Sequence, residues 1–369
     1  MSKLLTLYSK YGQSVWLDFI KRDLIEEGIL QDLVTAGIRG VTTNPSIFRQ
    51  AISGSDAYND AIRDLIQADP EIDAQALYHW LIIEDVQAAA DVLASVYASS
   101  HGVDGYISVE ISPHLAYDTA GTIEAAQHLW RQVDRPNILI KIPATLEGLP
   151  ALERLIAEGI NVNVTLLFSI SRYHQVVDAY LRGLDMSIDP STTTSVASFF
   201  VSRVDSKVDV RLQKIDSPEA RALKGRVAIA NAKLAYCTFK DYFQSQTFQP
   251  YKERGAKVQR LLWASTGTKQ PSYSDVLYVD NLIGPETVNT LPLDSLDAFQ
   301  HHGETSHSLE SNIDRAKSDL KALQGFGIEL GQITDELEQE GIAKFTEDYD
   351  ALLMMLGDKR SQIAKDFVA

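Results

Sequence analysis

The sequence predicts an α/β fold, a closed (β/α)8 TIM barrel with helical insertions and a C-terminal helical extension. Eight short apolar runs alternate with helical patterns along most of the 369 residues. Parallel strands need crossovers, and eight of them close comfortably into a barrel. A doubly wound open sheet is the rival arrangement. The barrel alone takes about 250 residues, so the excess must lie in insertions and an appendage. The expected organisation is one catalytic domain over residues 1–369, with barrel strands at about 14–283 and the extension at about 290–369.

The strand-like runs are 15–20, 40–44, 106–111, 138–143, 160–167, 193–202, 259–265 and 276–283. Between the second and third, residues 49–105 hold at least two helices; in 84–98, Val86, Ala89, Leu93 and Val96 recur at helical spacing. Residues 203–258 form a charged helical region, in which Ser217 followed by Pro218 and Glu219 signals a helix start. After the last run, Leu309, Ile313, Ala316, Leu320 and Leu323 repeat at helical spacing, and a further helix is expected around 330–337. The extension reads as packed against the barrel.

Composition excludes several classes. A net charge of −16 opposes nucleic acid or an anionic membrane as partner. No apolar run approaches the roughly 18 residues of a spanning helix. The single cysteine, Cys237, excludes a disulfide within the chain and a cysteine metal cluster, and fits a cytoplasmic protein. His301, His302 and His307 match no common metal spacing and read as loop and helix-start residues.

Polar residues stand near the C-terminal ends of seven successive strands, the face that builds the active site in this architecture. They are Asp18, Asn44, Glu110, Lys141, Asn163 with Thr165, Ser198 and Ser265. Lys141, inside "ILIKIP", is the least comfortable of them, because buried lysines are rare and usually paired or functional. Alternation places it with Leu139 and Pro143 on one face of the strand and leaves open which face points inward. If it points inward, burial favours the neutral amine, a nucleophile able to form a Schiff base with a ketone. Asp18 and Glu110 could then shuttle protons, while Asn44, Asn163 and Ser198 hold hydroxyls of a polyol. The alternative is a buried salt bridge of Lys141 with Asp18 or Glu110.

Two stretches resemble the transaldolases: "GVTTNPSIF" at 40–48 and "ILIKIPATLEGLPALERLIAEGINVNVTLLFS" at 138–169. The resemblance, running from about Asp18 to Ser265, implies a cofactor-free, metal-free enzyme that moves a dihydroxyacetone unit between sugar phosphates. It implies Lys141 as the Schiff-base lysine and Asp18 as the base of carbon–carbon cleavage. Glu110 and Thr165 would manage the protons of dehydration, and Asn44, Asn163 and Ser198 would bind the dihydroxyacetone portion. Arg203 and Ser265 match phosphate-binding positions. Where many family members carry an arginine two residues after that serine, this sequence has Gly267, and Lys269 in the same loop is the candidate replacement. Arg260 begins its strand and is expected at the opposite rim. A Schiff-base aldolase releasing free dihydroxyacetone and a silent sugar-phosphate-binding barrel are the other two readings. Nothing in the sequence chooses an oligomeric state.

Overall fold

The computed structural model describes residues 2–215 and 217–365. Eight parallel strands close in sequence order: β1 (Gln13–Leu17), β2 (Ile38–Thr42), β3 (Tyr106–Glu110), β4 (Ile138–Pro143), β5 (Val162–Leu167), β6 (Ser195–Phe200), β7 (Arg260–Ala264) and β8 (Thr287–Leu291). β1 pairs with both β2 and β8, which completes the ring. Every residue of β4 is buried, as expected of a strand with the barrel interior on one face and helices on the other.

The eighth strand is not where the sequence reading placed it. Residues 276–283 contain the short helix Leu277–Asn281, and β8 follows at Thr287–Leu291, so the barrel extends beyond 283. The apolar residues there, Tyr278, Val279, Leu282 and Ile283, are buried at one-four spacing, which suits a helix face as well as a covered strand. The true strand, "TVNTL", is camouflaged by polarity: Thr287 and Asn289 are fully buried. Strand ends differ in smaller ways. β1 starts at Gln13 and stops before Asp18, and β2 stops at Thr42, leaving Asn44 to begin a helix.

The insertion after β2 holds three helices, Pro45–Ser53, Asn59–Ala68 and Ala74–Ser99. The charged region after β6 holds Ser202–Ile215, Pro218–Leu223 and Val227–Phe243, the last carrying Cys237 half-buried, and then Gln249–Glu253. His301 and His302 end the helix Leu293–His302 instead of starting one. The C-terminal extension continues with Ile313–Gly325 and finishes in Leu330–Lys365, 36 residues long. That last helix packs on Pro45–Ser53, Ala74–Ser99 and Ser202–Ile215 and reaches β5 itself. Residues 366–369 of the expected extension lie outside the described residues. Among the described residues no helix is long and apolar enough to cross a membrane.

Candidate active site

The C-terminal ends of the strands surround a cavity of about 410 Å³, a size suited to a small ligand. Asp18, Asn44, Lys141, Thr165, Ser198, Arg203, Ser265, Gly267 and Lys269 all line it, so strands far apart in sequence deliver the expected groups to one place. A larger cavity, about 630 Å³, opens around Arg260 at the other end of the barrel. There Arg260 donates to Asp104 Oδ1 at 2.9 Å, Ser14 Oγ at 3.0 Å and the Val103 carbonyl at 2.6 Å. Its guanidinium is therefore already engaged, and the strand-end cavity holds the amine and the carboxylate.

Local sequence explains how each group is aimed. Asn44 caps the helix Pro45–Ser53: its Oδ1 accepts from Ile47 N at 3.0 Å, and Pro45 occupies the first helical position, where no N–H is needed. This leaves the Asn44 amide nitrogen for the cavity. The β5–β6 register shifts between Val164 and Leu167, and Leu166 sits at φ 57°. Such bulges redirect a neighbouring side chain, here that of Thr165. Ser265, at φ 55°, turns the chain out of β7 into the loop that carries Gly267 and Lys269, and its Oγ lies 3.0 Å from Ser202 Oγ.

Lys141 points inward. It is 5% exposed; its Nζ donates to the Thr43 carbonyl at 3.1 Å and stands 3.7 Å from Glu110 Oε2. Glu110 and Lys141 are register partners across β3 and β4, so strand pairing fixes their proximity. Burial pushes the Glu110 carboxyl up to about 7, against the attraction of Lys141 and with help from the negative charge of Asp18. Burial likewise raises Asp18, opposed by Lys141 and by the hydroxyl of Thr42, which donates to Asp18 Oδ1 at 2.6 Å. Glu110 Oε2, beside the amine, and Thr165 Oγ1, of a residue that lines the same cavity as Lys141, are buried without a hydrogen-bond partner. An amine flanked by a carboxyl that holds its proton near neutrality is equipped for carbonyl addition and dehydration.

Asn163 differs from its neighbours. It is fully buried, donates to Ser108 Oγ at 2.9 Å and accepts from Ser198 Oγ at 2.7 Å. It orients Ser198 and does not itself reach the cavity surface. Other residues reach the cavity that sequence reasoning missed. Thr42 and Thr290, whose hydroxyls are 2.6 Å apart, add to the wall near Asp18. Phe200 comes from the end of β6 and Pro292 from just beyond β8. Lys344, Phe345 and Asp348 come from the last helix, Leu330–Lys365. Thr42 was legible next to the Asn44 motif; the helix residues carried no comparable signal.

The sequence matches the family described as Transaldolase/Fructose-6-phosphate aldolase over residues 15–356. The chain belongs to this family. A transaldolase of Mycolicibacterium smegmatis is 47% identical over 95% of this chain and 95% of its own length. A transaldolase of Frankia alni is 44% identical over 99% of this chain and all of its own, and one from Thermobifida fusca 45% identical over 96% and 97%. As a member of the transaldolase/fructose-6-phosphate aldolase family, the chain carries both quoted stretches, 40–48 and 138–169, inside the matched span. The family match also spans Lys344, Phe345 and Asp348 and so includes most of the last helix.

Proposed function

We propose that this chain is a transaldolase, transferring a dihydroxyacetone unit from sedoheptulose 7-phosphate to glyceraldehyde 3-phosphate and so yielding erythrose 4-phosphate and fructose 6-phosphate. The observation that carries the reading is the Lys141 amine, inside the closed barrel with Glu110 at 3.7 Å and Asp18 on the same cavity. Family membership and full-length likeness to proteins described as transaldolases support it.

In this reading the Lys141 amine adds to the ketone carbon of the donor, and Glu110 supplies the proton with which the resulting carbinolamine loses water. Thr165 Oγ1, unpartnered in the protein, holds the departing hydroxyl. Asp18 then takes the proton of the hydroxyl beside the scissile bond. That bond breaks, its electrons pass into the iminium to give an enamine, and the aldose leaves with a new aldehyde. The enamine remains bonded to Lys141 until an acceptor aldehyde arrives. Attack forms the new bond, Asp18 returns its proton, and water frees the product ketose from Lys141. Ser198 and Asn44 hold the hydroxyls of the three-carbon unit, Asn163 keeps Ser198 in place, and Arg203, Ser265 and Lys269 face the phosphate. The chain as a whole carries −16, yet Lys141, Arg203, Lys269 and Lys344 outnumber Asp18 and Asp348 around the cavity. A sugar phosphate therefore meets a locally cationic mouth.

The direct test supplies fructose 6-phosphate with and without erythrose 4-phosphate. Formation of sedoheptulose 7-phosphate only with the acceptor is expected; release of free dihydroxyacetone at a comparable rate would make the chain an aldolase. A pH dependence follows from Glu110. Its acid form is the proton donor, and it is lost as pH rises through about 7. The rate of imine formation should fall over that range, and Glu110→Gln should be slower by roughly 10²-fold or more and lose that limb of the profile. An unchanged profile in the variant would remove Glu110 from this role.

A further inference from the structure

The last helix crosses the cavity mouth with one stripe of residues facing inward. Gly341, Lys344, Phe345 and Asp348 are spaced three, four and seven apart, the interval of a single helix face. Gly341 lets the helix come close: a Cβ there would lie 2.9 Å from Leu166 Cδ2 and 3.8 Å from Arg203 Nη1. The ring centroid of Phe345, which is buried, is 5.7 Å from Lys141 Nζ and 6.0 Å from the Arg203 guanidinium carbon. The helix thus roofs the catalytic amine and sits beside a guanidinium that makes no ion pair within 4 Å among the described residues.

Lys344 has a different setting. Its side chain is 54% exposed, and its Nζ lies 3.2 Å from Asp348 Oδ1 and 3.8 Å from Glu347 Oε2. The Asp348 carboxylate is only 7% exposed and also forms an ion pair with Arg49, whose Nη2 lies 3.3 Å from Asp348 Oδ1. Two cations therefore share one buried anion. Removing the sole partner of a buried charge is strongly destabilising, but here Arg49 stays on Asp348 if Lys344 swings away. Lys344 is a long cation on the cavity wall, and its departure would leave Asp348 still paired with Arg49.

We infer that Lys344, from outside the barrel, is a specificity-determining residue that leaves Asp348 to bind the phosphate of the substrate opposite Arg203. The inference rests on the transaldolase reading for the identity of the ligand, though not for the binding of the anion. The roof is then part of substrate recognition: phosphate bridges the barrel residue Arg203 and the helix residue Lys344 and holds the helix over the enamine. Lys344→Gln keeps a polar side chain, one bond shorter, and removes the charge.

Two measurements on the full chain test it. In steady state, Lys344→Gln should raise KM for fructose 6-phosphate about tenfold more than it changes reductive trapping of unphosphorylated dihydroxyacetone, the scale of one lost charge-assisted contact, and Lys344→Arg should recover most of that loss. By calorimetry, inorganic phosphate should bind Lys344→Gln about tenfold more weakly than the wild-type chain, whether or not the chain catalyses transfer. Equal losses on phosphorylated and unphosphorylated compounds, or phosphate affinity unchanged by the substitution, would overturn the assignment. Failure of the transfer assay with the phosphate difference intact would instead count against the transaldolase reading alone.

Discussion

Lys141→Ala is expected to lose transfer by roughly 10⁴-fold or more, the scale seen when an enzyme loses its covalent nucleophile. No other amine can stand in. Among the cavity's cations, Arg203 is a guanidinium and Lys269 and Lys344 sit on the exposed rim, whereas Lys141 is 5% exposed beside both carboxylates. The substitution should still leave a folded barrel. It removes a hydrogen bond to the Thr43 carbonyl and takes the positive neighbour from Glu110, whose carboxyl burial has already pushed up to about 7. Without Lys141 that carboxyl keeps its proton more firmly, and Asp18, which loses the same positive neighbour, still accepts the Thr42 hydroxyl, so the expected loss of stability is about 1–3 kcal/mol. A thermal melt close to wild type beside abolished transfer is the expected pair of results. Transfer within tenfold of wild type would remove Lys141 from the chemistry.

Asp18→Asn should divide the reaction in two. Asparagine keeps the shape and the oxygen that accepts the Thr42 hydroxyl at 2.6 Å, but it cannot take a proton. Carbon–carbon cleavage of fructose 6-phosphate should therefore fall by about 10²–10⁴-fold, the range for loss of a general base. Imine formation with dihydroxyacetone needs no carbon–carbon cleavage and should persist. Following glyceraldehyde 3-phosphate release and reductive trapping side by side separates the two steps. If both fell together, Asp18 would be acting on imine formation or on the integrity of the site instead of on cleavage.

The barrel was legible because most of its strands are covered on both faces and read as unbroken apolar runs. β4, at Ile138–Pro143, is the clearest case, and its lysine stands out against that background. β8 was missed for the opposite reason: Thr287 and Asn289 make "TVNTL" look like a loop, while the preceding run, which forms a short helix, supplies the hydrophobicity expected of a strand. Alternation left open which way Lys141 faces. Its hydrogen bond to the Thr43 carbonyl and its pairing with Glu110 place it inside. Asn163 looked equivalent to Asn44 because both are amides near strand ends. Register alone does not say that both ends of the Asn163 side chain are already engaged by Ser108 and Ser198.

The contribution of the last helix was invisible for a topological reason. Lys344 and Phe345 lie more than 50 residues beyond the end of β8, and only the path of the Leu330–Lys365 helix across the mouth brings them to Lys141 and Arg203. A charged helix face ordinarily reads as solvated. Gly341, which permits the close approach over Leu166, is equally silent in sequence.

In the proposed reaction the amine of Lys141 carries the three-carbon unit as an imine. That role is tested most directly by reducing the wild-type chain with borohydride in the presence of fructose 6-phosphate and weighing its peptides. A reduced three-carbon or hexose phosphate adduct on the peptide containing Lys141, with activity lost in parallel, is the result expected. An active chain whose Lys141 peptide keeps its unmodified mass under the same treatment would contradict the account.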